Sequence, residues 1–274
     1  MFISCSKIHI IILITSVDMI NYIKKPQFVL FITILIIGCE YKSTKAINYE
    51  YSRIEISKNT EVDSTIASFI KPYTENLDKS IHRVLSYAPK TMHKKDGEME
   101  STIGNLMADA IMEEVSPLFH SKTKNKIDFC LLNYGGIRDR IEKGNVTVKT
   151  AYKIMLFENS VVVLKMSGKK VKKLFSYLSK YQKAHPISGA KVNISEQEIN
   201  ATIQGKKFDP LQSYYVATSD YLFRGGDQMV FFENPEEIHY TNYKIRSVLI
   251  DYFSKKDTLR STLDQRLILN KTAK

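Results

Sequence analysis

The chain has 274 residues, 40 Lys and Arg against 29 Asp and Glu, a formal net charge of +11, and 43% hydrophobic residues. A basic balance attracts phosphates and anionic surfaces, but the lysines are scattered, not arrayed with aromatics, and no nucleic-acid motif is present, which excludes a nucleic-acid reader. Only one of the three cysteines, Cys130, lies beyond the first 39 residues, so a disulfide framework is excluded and the fold must rest on its core.

The first 39 residues read as a processing signal. Apolar runs at Ile10–Ile14 and Phe28–Ile37 fall short of the roughly 18 residues of a spanning helix. The second follows Lys24-Lys25 and ends Leu35-Ile36-Ile37-Gly38-Cys39, which resembles a bacterial lipobox with Cys39 as the lipidated residue. Met19 gives a signal of ordinary length, so the expected product is an exported lipoprotein held to the membrane through Cys39. Without residues 1–39 the balance is 37 basic to 28 acidic residues, or +9.

Residues 40 to about 47 form a polar tether. Alternation of Tyr49, Tyr51, Ile54 and Ile56 predicts a strand over Ile47–Ser57, so residues 40–60 are assigned as tether and first strand and 61–274 as one domain. Asp63 or Ser64 caps a helix with Ile66, Phe69, Ile70, Tyr73 and Leu77 on one face and Pro72 inside it. A short strand is expected over Ile81–Tyr87 and a polar loop over Lys90–Glu100. Ser101 starts a helix carrying Ile103, Leu106, Met107, Ala110, Ile111 and Val115, with a stop near Pro117. Ile127–Leu132 and Asn159–Met166 read as buried strands. Ser167-Gly168 opens a helix with Val171, Leu174, Phe175 and Leu178 inward and a lysine-rich face outward. Strands follow at 191–194, 199–204 and 214–218, then a helix over Tyr243–Phe253. This alternation predicts an α+β domain with mixed sheets flanked by helices.

Two glycine turns carry the chemistry: Asn133-Tyr134-Gly135-Gly136-Ile137-Arg138 and Tyr221-Leu222-Phe223-Arg224-Gly225-Gly226-Asp227. Each follows a β-like run. Glycine lets a backbone approach a ligand, while Asn, Arg and Asp supply an amide, a cationic fork and an acceptor pair. That inventory suits a sugar phosphate.

Taken in order, Gly104-Asn105-Leu106, Asn-x-Gly-Gly-Ile-Arg, Leu156-Phe157, Ser188-Gly189 and Gly-Gly-Asp resemble the C-terminal, substrate-binding domain of the 5′-nucleotidase family, from about Ser64 to Phe253. The resemblance implies that Phe157 and Tyr221 clamp a nucleobase, that Asp227 accepts from ribose hydroxyls, and that Asn133 and Arg138 contact sugar, base edge and phosphate. Gly104, Asn105 and Asp109 are expected to serve packing and anchoring. Two departures stand out. The family arginine preceding the Gly-Asn-Leu helix falls at Met99, and Gly-Gly-Asp continues with Gln228-Met229 where relatives carry Gly and an aromatic.

Family hydrolysis belongs to a separate domain holding two metal ions through Asp-x-His, Gly-Asn-His-Asp/Glu and Gly-His-x-His signatures. None occurs in this sequence, and its six histidines are dispersed, so no catalytic or metal residue is assigned here. The resemblance implies the nucleotide- or nucleoside-binding half of a 5′-nucleotidase-type hydrolase, serving nucleotide catabolism by phosphate-ester hydrolysis, made as a lipoprotein with no cofactor of its own. A separately encoded metallophosphatase, with Mn or Zn or a similar divalent metal, would dock on it in trans, with the helix from Ser64 as the docking surface. The alternatives are a nucleotide-binding lipoprotein without an enzyme partner, and a degenerate interaction domain.

Overall fold

A computed structural model describes residues 49–270 apart from 50, 58 and 196. Cys39 and the whole expected signal lie outside the described residues. The chain divides into two units, residues 1–61 and 62–274. In the first, the described residues have no strand: Tyr51, Ile54 and Ile56 are at least 85% exposed. This corrects the strand expected over Ile47–Ser57, because alternation alone supplies no partner for the backbone groups.

The second unit begins with α1 (Ser64–Ile81), capped by Asp63, whose Oδ1 accepts from Thr65 N and Ile66 N at 2.9 and 3.1 Å. None of its residues is buried. Then come β1 (Val84–Ala88), α2 (Thr102–Thr123), β2 (Phe129–Leu131), β3 (Gly144–Thr147), α3 (Val148–Ile154), β4 (Ser160–Ser167) and α4 (Gly168–Tyr181). The later half adds β5 (Ile187–Ser188), β6 (Ala190–Ile194), β7 (Ile199–Ile203), β8 (Lys206–Lys207) and β9 (Ser213–Ser219). It closes with α5 (Asp220–Phe223), β10 (Glu237–Lys244), α6 (Ile245–Ser254) and β11 (Leu267–Leu269). Among the described residues no helix is long and apolar enough to cross a membrane.

The central sheet has the order β10-β4-β9-β2-β5, beside a β11-β6-β7-β8 sheet and a β1-β3 pair. The β2–β9 and β6–β11 pairings are parallel and the others antiparallel, so the fold is α+β with mixed sheets. Strand alternation sends side chains to opposite faces. Cys130, Val161, Val163 and Ala217 meet α2 and α6 on one face. Phe129, Leu131, Val162, Leu164 and Val216 meet α4 and the second sheet on the other. Burial of both faces explains the unbroken Val161-Val162-Val163-Leu164 run.

Helix α2 continues past Pro117 to Thr123, beyond the stop expected from the proline. Phe119 is 4% exposed and packs at 5.2 Å against both Tyr215 and His239. Tertiary packing there outweighs the roughly 3 kcal/mol cost of an interior proline.

Candidate functional site

Register places the two glycine turns at one end of the central sheet. Val161 at the start of β4 pairs with Ser219 at the end of β9, and Cys130 on β2 lies beside Ala217 on β9. The loop before β4, carrying Phe157, the turn after β2, carrying Asn133, and α5, carrying Tyr221, therefore emerge together. Asp220 Oδ1 accepts from Ser160 N at 3.1 Å and ties two of these loops.

Asn133, Tyr221 and Asp227 converge. Asn133 Nδ2 donates to Asp227 Oδ2 at 2.7 Å and Tyr221 Oη to Oδ1 at 3.0 Å. That bond to the carboxylate, more than burial, raises the Tyr221 phenol above its ordinary pKa. Two glycines make the approach possible. A Cβ on Gly136 would lie 2.8 Å from Asn133 Oδ1, and one on Gly226 would lie 2.5 Å from the Tyr221 ring.

Arg138 and Phe157 form a second group. The guanidinium lies 5.7 Å from the ring centroid, and Nη1 reaches Gly135 O at 3.5 Å. The carboxylates nearest in sequence are engaged elsewhere: Glu142 pairs with Arg140, and Asp139 with Lys153 at 3.9 Å. Phe157 and Tyr221 are 43% and 42% exposed, so neither ring is spent on the core.

Helix α4 supplies residues that the sequence reading passed over. Tyr177 Oη donates to the Asp227 carbonyl at 2.9 Å and Tyr181 Oη to Gln228 Oε1 at 3.0 Å. Their i, i+4 spacing was the available signal. The Tyr177 phenol is pushed up to about 12 by burial and then by the Asp227 charge. Asp227 and Gln228 both take left-handed backbone, with φ of 52° and 60°. For residues other than glycine this costs on the order of 1–2 kcal/mol each, and the two tyrosines hold the turn in that shape. Below them, His185 is 4% exposed and accepts from Tyr134 N through Nδ1 at 3.2 Å, while Nε2 has no partner among the described residues. Burial lowers its pKa to about 4, so the ring is neutral at ordinary pH.

Met99 is 3% exposed and packed in the core with Phe129 and Leu131; it does not line this site. Asn105 donates to Thr262 O at 2.9 Å, and Asp109 pairs with Arg266 at 2.6 Å and accepts from Ser188 at 2.6 Å. These residues anchor the C-terminal segment. Cys130 is fully buried, which raises its thiol pKa strongly and leaves it inert. Among the described residues no group of three or more His, Cys, Asp or Glu is placed to hold a metal ion.

A family model for the 5′-nucleotidase C-terminal domain matches residues 83–234. Protein UshA of Escherichia coli (strain K12) is 33% identical over 140 residues, covering 48% of this chain and 25% of that protein. Silent protein UshA(0) of Salmonella typhimurium (strain LT2) is 26% identical over 234 residues, covering 78% of this chain and 42% of its own length. The crystal structure of a 5′-nucleotidase precursor from Thermus thermophilus superposes with a TM-score of 0.63 at 19% identity, covering 77% of this chain and 44% of that one. The likeness to that structure is one of fold. The chain thus spans less than half the length of these relatives.

Proposed function

The chain belongs to the 5′-nucleotidase C-terminal domain family, and on that premise we propose that it is the nucleotide-holding part of a 5′-nucleotidase-type hydrolase. The base stacks against Phe157 and Tyr221, Asp227 accepts from the ribose hydroxyls, Asn133 meets sugar and base edge, and Arg138 grips the phosphate. The carrying observation is that two rings, each more than two-fifths exposed, stand at the same sheet end as a buttressed carboxylate. Stacking on a ring contributes on the order of 1–3 kcal/mol per base, and charge-assisted bonds to a carboxylate are about twice as strong as neutral ones.

Bond cleavage is assigned to a separate metallophosphatase chain carrying Mn, Zn or a similar divalent metal. Two such ions clamp the attacking and leaving oxygens of a phosphoryl displacement. The exposed apolar face of α1, with Ile66, Phe69, Tyr73 and Leu77 between 58% and 71% exposed, is the docking surface in this reading. Export and anchoring through Cys39 would place both chains at the membrane.

Calorimetry with AMP, adenosine and UDP-glucose tests the binding half. Saturable binding that weakens by about 1–3 kcal/mol in Tyr221→Ala supports it; binding indifferent to that change sinks it. Co-purification from the native membrane, followed by a nucleotidase assay with Mn²⁺ or Zn²⁺, tests the division of labour, and robust turnover by this chain alone overturns it. A second reading, a degenerate interaction domain, is favoured by Met99 and Gln228 standing where the resemblance places an arginine and a glycine. It predicts that the wild type binds none of the three ligands.

A further inference from the structure

Beside the Asn133 turn lies a cavity of about 370 Å³ whose lining includes Lys94, Arg138, Arg140 and Lys153 with Asp139 and Glu142. Four cations face two carboxylates, and the two carboxylates are already paired, Glu142 with Arg140 and Asp139 with Lys153. Lys94 and Arg138 remain, and neither forms an ion pair among the described residues. Each is instead held by a carbonyl and a ring. Lys94 Nζ donates to Ile137 O at 2.7 Å and lies 4.7 Å from the Tyr134 centroid. Arg138 has Gly135 O and the face of Phe157.

One carbonyl each leaves most of their donors open, since an ammonium has three N–H groups and a guanidinium five. Two like charges brought to one cavity wall repel unless an anion lies between them, and an anion there is favoured by both. We propose that Lys94 and Arg138 together hold the phosphate group of the bound nucleotide, with Lys94 as a phosphate-binding residue in its own right. The assignment rests on the nucleotide reading for the source of that phosphate. The charge environment agrees: burial first, then the neighbouring Arg138 and Lys95 charges, lower the Lys94 pKa. Arg138 joins the two ends of the site, with Phe157 against its guanidinium and the phosphate on its free edge.

The test is titration of the full chain in detergent with AMP, adenosine and inorganic phosphate. Wild type should bind AMP at least about tenfold more tightly than adenosine. Lys94→Ala should weaken AMP about tenfold and leave adenosine unchanged, which also shows that the variant is folded. Lys94→Arg should keep AMP affinity within about threefold, because the charge is retained. Equal wild-type affinity for AMP and adenosine, or AMP binding unchanged in Lys94→Ala, overturns the assignment while leaving nucleoside binding intact. If neither AMP nor adenosine binds, the nucleotide reading falls and inorganic phosphate decides. Saturable phosphate binding that Lys94→Ala abolishes keeps the anion site, and absent or unchanged phosphate binding overturns it.

Discussion

The two ends of the site are built on opposite terms. Around Asp227 the side-chain oxygens and the carbonyl already have donors in Asn133, Tyr221 and Tyr177. Around Arg138 and Lys94 two positive charges share a cavity whose carboxylates are paired with other cations. A ligand entering the first meets a carboxylate already held by two donors, with lone pairs left on each oxygen, and adds its hydroxyl bonds to the stacking of the rings. A ligand entering the second supplies charge that the protein lacks. Shape is prepared at one end and attraction at the other.

The largest expected effect breaks the comparison through acid. The turn at Asn133 rests on neutral His185, whose folded pKa near 4 lies below its unfolded value of 6.5. The unfolded chain takes up that proton first, so stability is lost as pH falls from about 6.5 to about 4. The loss is up to about 3 kcal/mol. His185→Gln keeps an acceptor for Tyr134 N and should remove this part of the slope in denaturant midpoints measured against pH. Parallel curves for wild type and variant would mean that burial of a neutral imidazole does not set the slope.

Phe157→Ala removes both a ring face and the support of Arg138, and should cost AMP binding about 2 kcal/mol by calorimetry, more than it costs adenosine. Equal losses would detach the two ends from each other. Gly226→Ala drives a methyl into the Tyr221 ring and should cost both ligands about 1 kcal/mol, less than removal of the ring. The smallest effect belongs to α1. Leu77→Ser should change unfolding stability by less than about 0.5 kcal/mol, as at other exposed positions, yet abolish capture of a metallophosphatase chain in a pull-down.

The core was legible in the sequence where burial left a periodic trace: the α2 and α4 faces, the valine run of β4, and the strands β6, β7 and β9. It was not legible where elements are short or half-wet. Strand β10 alternates partly buried with exposed residues at the sheet edge, so Glu237 to Lys244 shows no apolar run. Strand β3 and helix α3 span four and seven residues, too few for a period to declare itself. Tyr49 to Ile56 shows the converse, a pattern with no sheet to join. At the proposed site, Asn133, Arg138 and Asp227 could be picked out from the sequence because the glycine turns that carry them have local backbone needs. Lys94 and His185 gave no sign, since each owes its surroundings to chain segments some forty to fifty residues away.

The latch from α4 has a mechanical meaning. Where a glycine at 228 would let the loop fall into its bend unaided, this chain uses two phenols to clasp it, and those phenols ride on a helix seated in the core through Val171, Leu174 and Phe175. The acidic hook is therefore fastened to the framework of the domain as well as to its own loop. Anything that loosens that helix will be felt at the hook before it is felt at the opposite, cationic wall.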